Sequence, residues 1–187
     1  MANPRRVAVV VGSLRKESFN RKLAKAIVAG AAPQLAFEIV EIRELPLFNQ
    51  DDEAQPPPAS AAFKEKIADA EAVLFVTPEY NRSVPGVLKN AIDVGSRPYG
   101  QSIWSGKPAA IISVSPGALG AFGANQHLRQ SFVFLDMPIL QQPEAYIGNA
   151  AKMFDDQGRM TNDDTREFVR KFMAAFAQWI AKTARAR

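Results

Sequence analysis

Three stretches of this chain are apolar along almost their whole length: Val-Ala-Val-Val-Val at 7–11, Ala-Val-Leu-Phe-Val-Thr at 72–77 and Pro-Ala-Ala-Ile-Ile-Ser-Val at 108–114. A strand that is apolar at every position has no face to offer to water, so each must lie in a sheet covered on both sides. Each run is followed by a turn rich in small and polar residues and then by helical spacing. That alternation requires parallel strands joined by helical crossovers.

Reading on from this pattern, helix one is expected over 20–32 and strand two over 37–42. A long acidic and proline-rich loop spans 45–58, and a short helix 59–69 precedes strand three at 72–77. Helix three covers 85–96, with Pro85 near its first turn, where a missing N–H is harmless. Strand four at 108–114 leads through a Gly-rich loop to a helix over 125–135, and 138–147 holds a broken fifth strand. Thr161, with Asp164 three residues on, is expected to cap a final amphipathic helix lined by Phe168, Phe172, Phe176 and Trp179. The expected fold is α/β, a doubly wound five-stranded parallel sheet of order 2-1-3-4-5 with helices on both faces and ligands at the carboxyl ends of its strands. With no internal repeat or linker, residues 1–187 read as one domain.

The first turn carries the most chemical information. Gly12-Ser13-Leu14-Arg15-Lys16-Glu17-Ser18-Phe19-Asn20 joins strand one directly to a helix. A helix start offers unpaired N–H groups and a positive dipole end, and Ser13, Ser18 and Asn20 add neutral donors. Arg15 can add a charge-assisted contact. Neither G-x-G-x-x-G nor G-x-x-x-x-G-K-[ST] is present here, so a dinucleotide fingerprint and a β/γ-phosphate lysine are both missing. Hydroxyls in place of glycines and lysine suit a single terminal phosphate, as in FMN.

Two further loops share that edge. Thr77-Pro78-Glu79-Tyr80-Asn81-Arg82-Ser83-Val84-Pro85-Gly86 follows strand three, and residues 113–123, with Ser115, Gly117 and Gly120, follow strand four. In the order 2-1-3-4-5, strands one, three and four are neighbours, and the topological switch lies between strands one and three.

Composition removes other classes of function. There is no cysteine, which excludes disulfides, thiolate catalysis and cysteine-ligated clusters. With a single histidine and no calcium-loop spacing around Asp51-Asp52-Glu53, no metal site is expected. The net charge is only +4 and its cations are scattered, many on the last helix (Arg166, Arg170, Lys171, Lys182, Arg185, Arg187). That is the pattern of a solvated face, so no nucleic-acid partner is expected. Without a signal peptide or an apolar run long enough to span a bilayer, the chain reads as soluble and cytoplasmic, with no membrane association.

The segments 12–20 and 78–93 (Pro-Glu-Tyr-Asn-Arg-Ser-Val-Pro-Gly-Val-Leu-Lys-Asn-Ala-Ile-Asp) resemble the NADPH-dependent FMN reductase family, and within it the bacterial chromate and quinone reductases of flavodoxin-like fold. The resemblance runs over nearly the whole chain. It implies non-covalent FMN, NADH or NADPH as electron donor, small-molecule acceptors (quinones, flavins, chromate, ferric complexes) and a homodimer or homotetramer. By position, it implies that Ser13, Arg15, Ser18, Phe19 and Asn20 serve the FMN phosphate end. Pro78, Glu79, Tyr80 and Asn81 would run beside the isoalloxazine ring, with Ser115, Gly117 and Gly120 near its far side. No catalytic side chain is required, because the flavin carries the chemistry.

Two positions depart from the family pattern. Glu17 stands where relatives often have glycine, and it should turn to solvent. Arg82 replaces an aromatic or small residue, and it is assigned to substrate binding, with a surface ion pair as the competing role. His127 is weighed as packing or interface against proton transfer. Glu79 reads as a loop-ordering residue, and Tyr99 and Trp104 as either loop packing or a subunit contact. The competing function is a flavodoxin-like electron carrier without its own nicotinamide site, although such carriers are usually strongly acidic.

Overall fold

In the computed structural model, which describes residues 3–31 and 33–183, five parallel strands form one sheet in the order β2-β1-β3-β4-β5. Ala32, expected at the end of helix one, lies outside the described residues, as do Arg185 and Arg187 of the terminal basic group. The strands are β1 (Arg5–Val11), β2 (Leu35–Val40), β3 (Ala72–Thr77), β4 (Ala109–Val114) and β5 (Ala145–Ile147). The helices are α1 (Phe19–Ala29), α2 (Pro58–Asp69), α3 (Gly86–Gly95), α4 (Phe122–Phe134) and α5 (Asp163–Thr183).

β3 and β4 are buried at every position, as their almost wholly apolar sequences require, with Thr77 and Ser113 the buried polar exceptions. Their side chains alternate between two cores. Val9, Leu74 and Ile112 pack with Leu23 and Ile27 of α1 and Phe172 and Phe176 of α5. Val10, Phe75 and Ile111 pack with Phe63 of α2, Leu88 and Ile92 of α3 and Leu128 and Phe132 of α4. β2, at the sheet edge, is only half covered.

Several local expectations are corrected. α5 is capped by Asn162, whose Oδ1 accepts from Thr165 N at 2.8 Å, so Thr161 lies outside the helix. α4 begins at Phe122 rather than at 125. The broken fifth strand over 138–147 is found as expected, with Ile139 bridging to Ala109 and, after a break, Ala145–Ile147 pairing with β4. Trp104 is no subunit contact: it is fully buried, its Nε1 donates to Ile92 O at 2.9 Å, and it packs against Phe63 and Phe75. Tyr99 stays 85% exposed.

Candidate functional site

The strand register brings the three loops together. Val11 pairs with Val76, Thr77 with Ser113 and Val114 with Ile147, so the chain leaves β1, β3 and β4 at neighbouring points on the carboxyl edge. Gly12 permits this closeness. A Cβ there would stand 2.7 Å from Thr77 Oγ1 and 3.0 Å from Leu88 Cδ2.

In loop one, Ser13 and Ser18 are buried. Ser18 is the N-cap of α1 and accepts from Arg21 N at 3.3 Å; Ser13 Oγ accepts from Arg15 N at 3.4 Å. Each hydroxyl therefore keeps its own O–H to donate. Asn20 is also buried, and its Nδ2 donates to Val114 O at 3.2 Å, which ties loop one to the end of β4. Its Oδ1 is buried without a hydrogen-bond partner. Leaving such an acceptor unpaired costs roughly 1–3 kcal/mol, a cost that a ligand donor removes. Arg15 folds back along the loop: Nη2 donates to Glu17 O, and the guanidinium lies 5.4 Å from the centroid of the Phe19 ring. Phe19 in turn stacks on Phe154. The Glu17 side chain is 69% exposed and pairs with Lys22 at 3.0 Å. The Lys22 hydrogen bond holds its carboxyl below the ordinary range, charged and turned to solvent.

Loop two is a tight hairpin. Tyr80 N donates to Ser83 O at 3.1 Å and Ser83 N to Tyr80 O at 3.0 Å, with Asn81 (φ 51) and Arg82 (φ 64) both left-handed between them. This is the two-residue turn that usually carries Asn-Gly, here with arginine in the glycine's place. Pro78 is half-buried at its base, where its carbonyl accepts from Thr77 Oγ1 at 2.8 Å. Tyr80 is 49% exposed. Arg82 reaches Glu79 at 3.4 Å and remains 79% exposed, while Glu79 is 12% exposed. Ser83 Oγ and His127 Nδ1 are hydrogen-bonded at 2.9 Å, so the one histidine touches this hairpin.

Loop three is held by its neighbours. Ser115 N donates to Ile147 O at 3.0 Å, and Ser115 Oγ donates to Gly117 O at 3.1 Å. Gly120 (φ 58) is required first by backbone packing, because a Cβ there would stand 2.5 Å from the Tyr146 carbonyl carbon. Beyond it, Leu119 and Phe122 are exposed, and the Phe122 ring lies 5.2 Å from that of Tyr146. Burial raises the Tyr146 phenol above its usual pKa, and its hydroxyl accepts from Gln126 Nε2 at 2.6 Å. Sequence reasoning missed Leu119, Phe122, Tyr146 and Phe154. The first two were placed in the third loop without a role, and the last two come from segments with no motif of their own.

A family model described as NADPH-dependent FMN reductase matches residues 5–152, which include all three loops. The chain belongs to this family. It is 65% identical over 175 residues to a quinone reductase of Pseudomonas putida, covering 93% of this chain and 94% of that one. It is 49% identical to a 2-hydroxy-1,4-benzoquinone reductase of a Burkholderia species, covering 94% and 96% of the two chains. Among solved structures, the flavoenzyme NAD(P)H:(acceptor) oxidoreductase FerB from Paracoccus denitrificans superposes with a TM-score of 0.91 at 43% identity, covering 97% of this chain and all of that one.

The residues present fit the family's cofactor. Two buried hydroxyls with free O–H groups at a helix start suit a phosphate. The orphaned Asn20 Oδ1 needs a donor, and FMN carries ribityl hydroxyls next to its phosphate.

Proposed function

We propose that the protein is an FMN-dependent NAD(P)H:acceptor oxidoreductase acting on quinones, with NAD(P)H and the acceptor taking turns at one face of the site. The observation that carries this reading is the carboxyl-edge cluster of loops one, two and three, with its buried serines and unpartnered Asn20 Oδ1. Its relatives named as quinone reductases support the acceptor class. Bound FMN supplies hydride acceptance and electron delivery.

The chain's own residues bind and orient. Ser13, Ser18 and the start of α1 donate to the phosphate, with Arg15 and Phe19 at its rim and Asn20 facing the ribityl chain. Pro78, Glu79, Tyr80 and Asn81 border one side of the ring, and Ser115, Gly117 and Gly120 the other. Tyr80, Leu119 and Phe122 give a planar acceptor apolar surface, and Arg82 adds a positive charge for anionic acceptors such as chromate or ferric complexes.

The same reading places one domain over 1–187, in the cytoplasm. No described helix is long and apolar enough to cross a membrane, and there is no cysteine. It also makes the protein a homodimer or homotetramer. Support comes from the outward side of α4, where Phe122, Val133 and Phe134 are exposed at 50%, 81% and 84%. The one arginine of α4, Arg129, is turned back onto Asn125 Oδ1 and Leu140 O. A monomer at micromolar concentration in light scattering would contradict the assembly.

The visible spectrum of the purified protein tests the central reading. Flavin absorption, bleached anaerobically by NAD(P)H, is the expected result, and the flavin released by heat should be FMN. Colourless protein that takes up no FMN would refute the reading. Flavin that stays yellow with NAD(P)H would instead identify an electron carrier.

A further inference from the structure

α4 starts without a cap of its own. The residue before it, Ala121, sits at φ 60 and ψ 40 with no side-chain acceptor, and there is no acidic residue in its first turn. A helix opened in this way leaves N–H groups unpaired and a positive dipole end uncompensated. The missing acceptor comes from loop two: Glu79 Oε2 accepts from Ala124 N at 3.2 Å, with the side chain only 12% exposed. Its other oxygen faces Arg82 Nη1 at 3.4 Å, so the carboxylate is engaged on both sides. The approach depends on Gly123, where a Cβ would stand 2.9 Å from both Arg82 O and Glu79 Oε2. The Ser83–His127 hydrogen bond fastens the far strand of the hairpin to the next turn of the same helix.

We infer that Glu79 is a positioning residue: loop two lends its carboxylate to α4 as an N-terminal cap and counter-charge, so that hairpin and helix form one rigid wall of the flavin site. This rests on the FMN reading proposed above. Two effects follow and can be separated. The hydrogen bond fixes the backbone of loop two, and hence its grip on the flavin. The negative charge cancels the positive end of α4, which otherwise favours reduction, since reduction adds negative charge to the flavin.

The test compares the loaded parent protein with Glu79→Gln, Glu79→Ala and Gly123→Ala. Three quantities are read: FMN release on dilution by the fluorescence of free flavin, the midpoint potential, and amide hydrogen exchange at Ala124. Glu79→Ala and Gly123→Ala should release FMN about tenfold faster, for one charge-assisted hydrogen bond lost. Both should also exchange Ala124 faster. Glu79→Gln keeps an oxygen for Ala124 N, so its release should stay within about threefold of the parent while its midpoint potential rises. Parental release, potential and exchange in Glu79→Ala would overturn the inference. So would a Glu79→Gln protein with the parental potential, which would reduce Glu79 to a spacer. A parent that retains no FMN refutes the site reading instead, and Ala124 exchange then decides the capping role alone.

Discussion

Replacing Arg82 with glycine separates what that residue does for the fold from what it does for the acceptor. At φ 64 it occupies a left-handed position that costs a residue with a Cβ about 1–2 kcal/mol. Glycine removes that strain but gives back roughly 0.5–1 kcal/mol in the entropy of the unfolded chain. The substitution also loses the 3.4 Å pair with Glu79, worth about 0–1 kcal/mol because Arg82 is 79% exposed. The terms nearly cancel and leave the stability within about 1 kcal/mol of the parent, so the thermal midpoint should move by no more than roughly 2–4 °C. Function should not be spared in the same way. With ferricyanide as acceptor at low salt, kcat/KM should fall about tenfold, equivalent to roughly 1.4 kcal/mol of transition-state stabilisation. The deficit should shrink as salt screens the guanidinium, while the neutral quinone menadione should react at the parental rate. A loss of well over 4 °C with both acceptors slowed equally would show that the side chain supports the hairpin. Parental rates with both acceptors would show that it does not face them.

Two other perturbations address the scaffold. Gly95→Ala should destabilise by about 1–3 kcal/mol in urea denaturation. A Cβ there would stand 2.5 Å from Trp104 Cε2, and overpacking with loss of the Trp104–Ile92 bond outweighs the roughly 1 kcal/mol that alanine gains in a helix; a raised midpoint would refute this. Asp155 accepts from Arg159 N at 2.8 Å, Gln157 N at 3.0 Å and Arg159 Nε at 2.7 Å, and these bonds, the Arg159 backbone foremost, hold its carboxyl below the usual value. Its stabilising contribution is complete above the ordinary carboxylate pKa and is lost as pH falls through the lowered one. Asp155→Asn should therefore flatten the fall of the thermal midpoint below about pH 4, and an unchanged slope would count against the assignment.

Most of the fold could be read from the chain because its governing interactions are local or periodic. β3 came out at 72–77 as expected, since a strand buried on both faces is apolar along nearly its whole length. The strand order followed from the alternation of strand and helix, and the aromatic stripe of α5 from helical spacing. Errors arose where the deciding partner was distant in sequence. Trp104 stayed open between loop packing and a subunit contact because nothing near it announces the space that Gly95, Phe63 and Phe75 leave for its ring. The cap of α5 was misplaced by one residue for a local reason instead: Thr161 and Asn162 are both good capping types, and only the backbone decides between them.

The start of α4, like Trp104, was misread because its deciding partner is distant in sequence, and that partner lies in the proposed site. A sequence announces a helix N-terminus through a capping residue at its own start. α4 has Ala121 in that place, so its first turn went unread and the helix was expected three residues late. Its cap is 45 residues away, on the loop assigned to the flavin. Glu79 was expected to order its own loop, but its bond to the start of α4 was not legible. A helix that depended only on its own residues could shift without disturbing loop two. Glu79 accepting from Ala124 N, the close approach at Gly123 and the Ser83–His127 bond instead tie α4 to the hairpin at three points. Strain at Asn81 and Arg82 is tolerable under that constraint, because the surrounding contacts over-determine the turn. Residues local in sequence thus specify the sheet, whereas contacts distant in sequence hold loop two to α4.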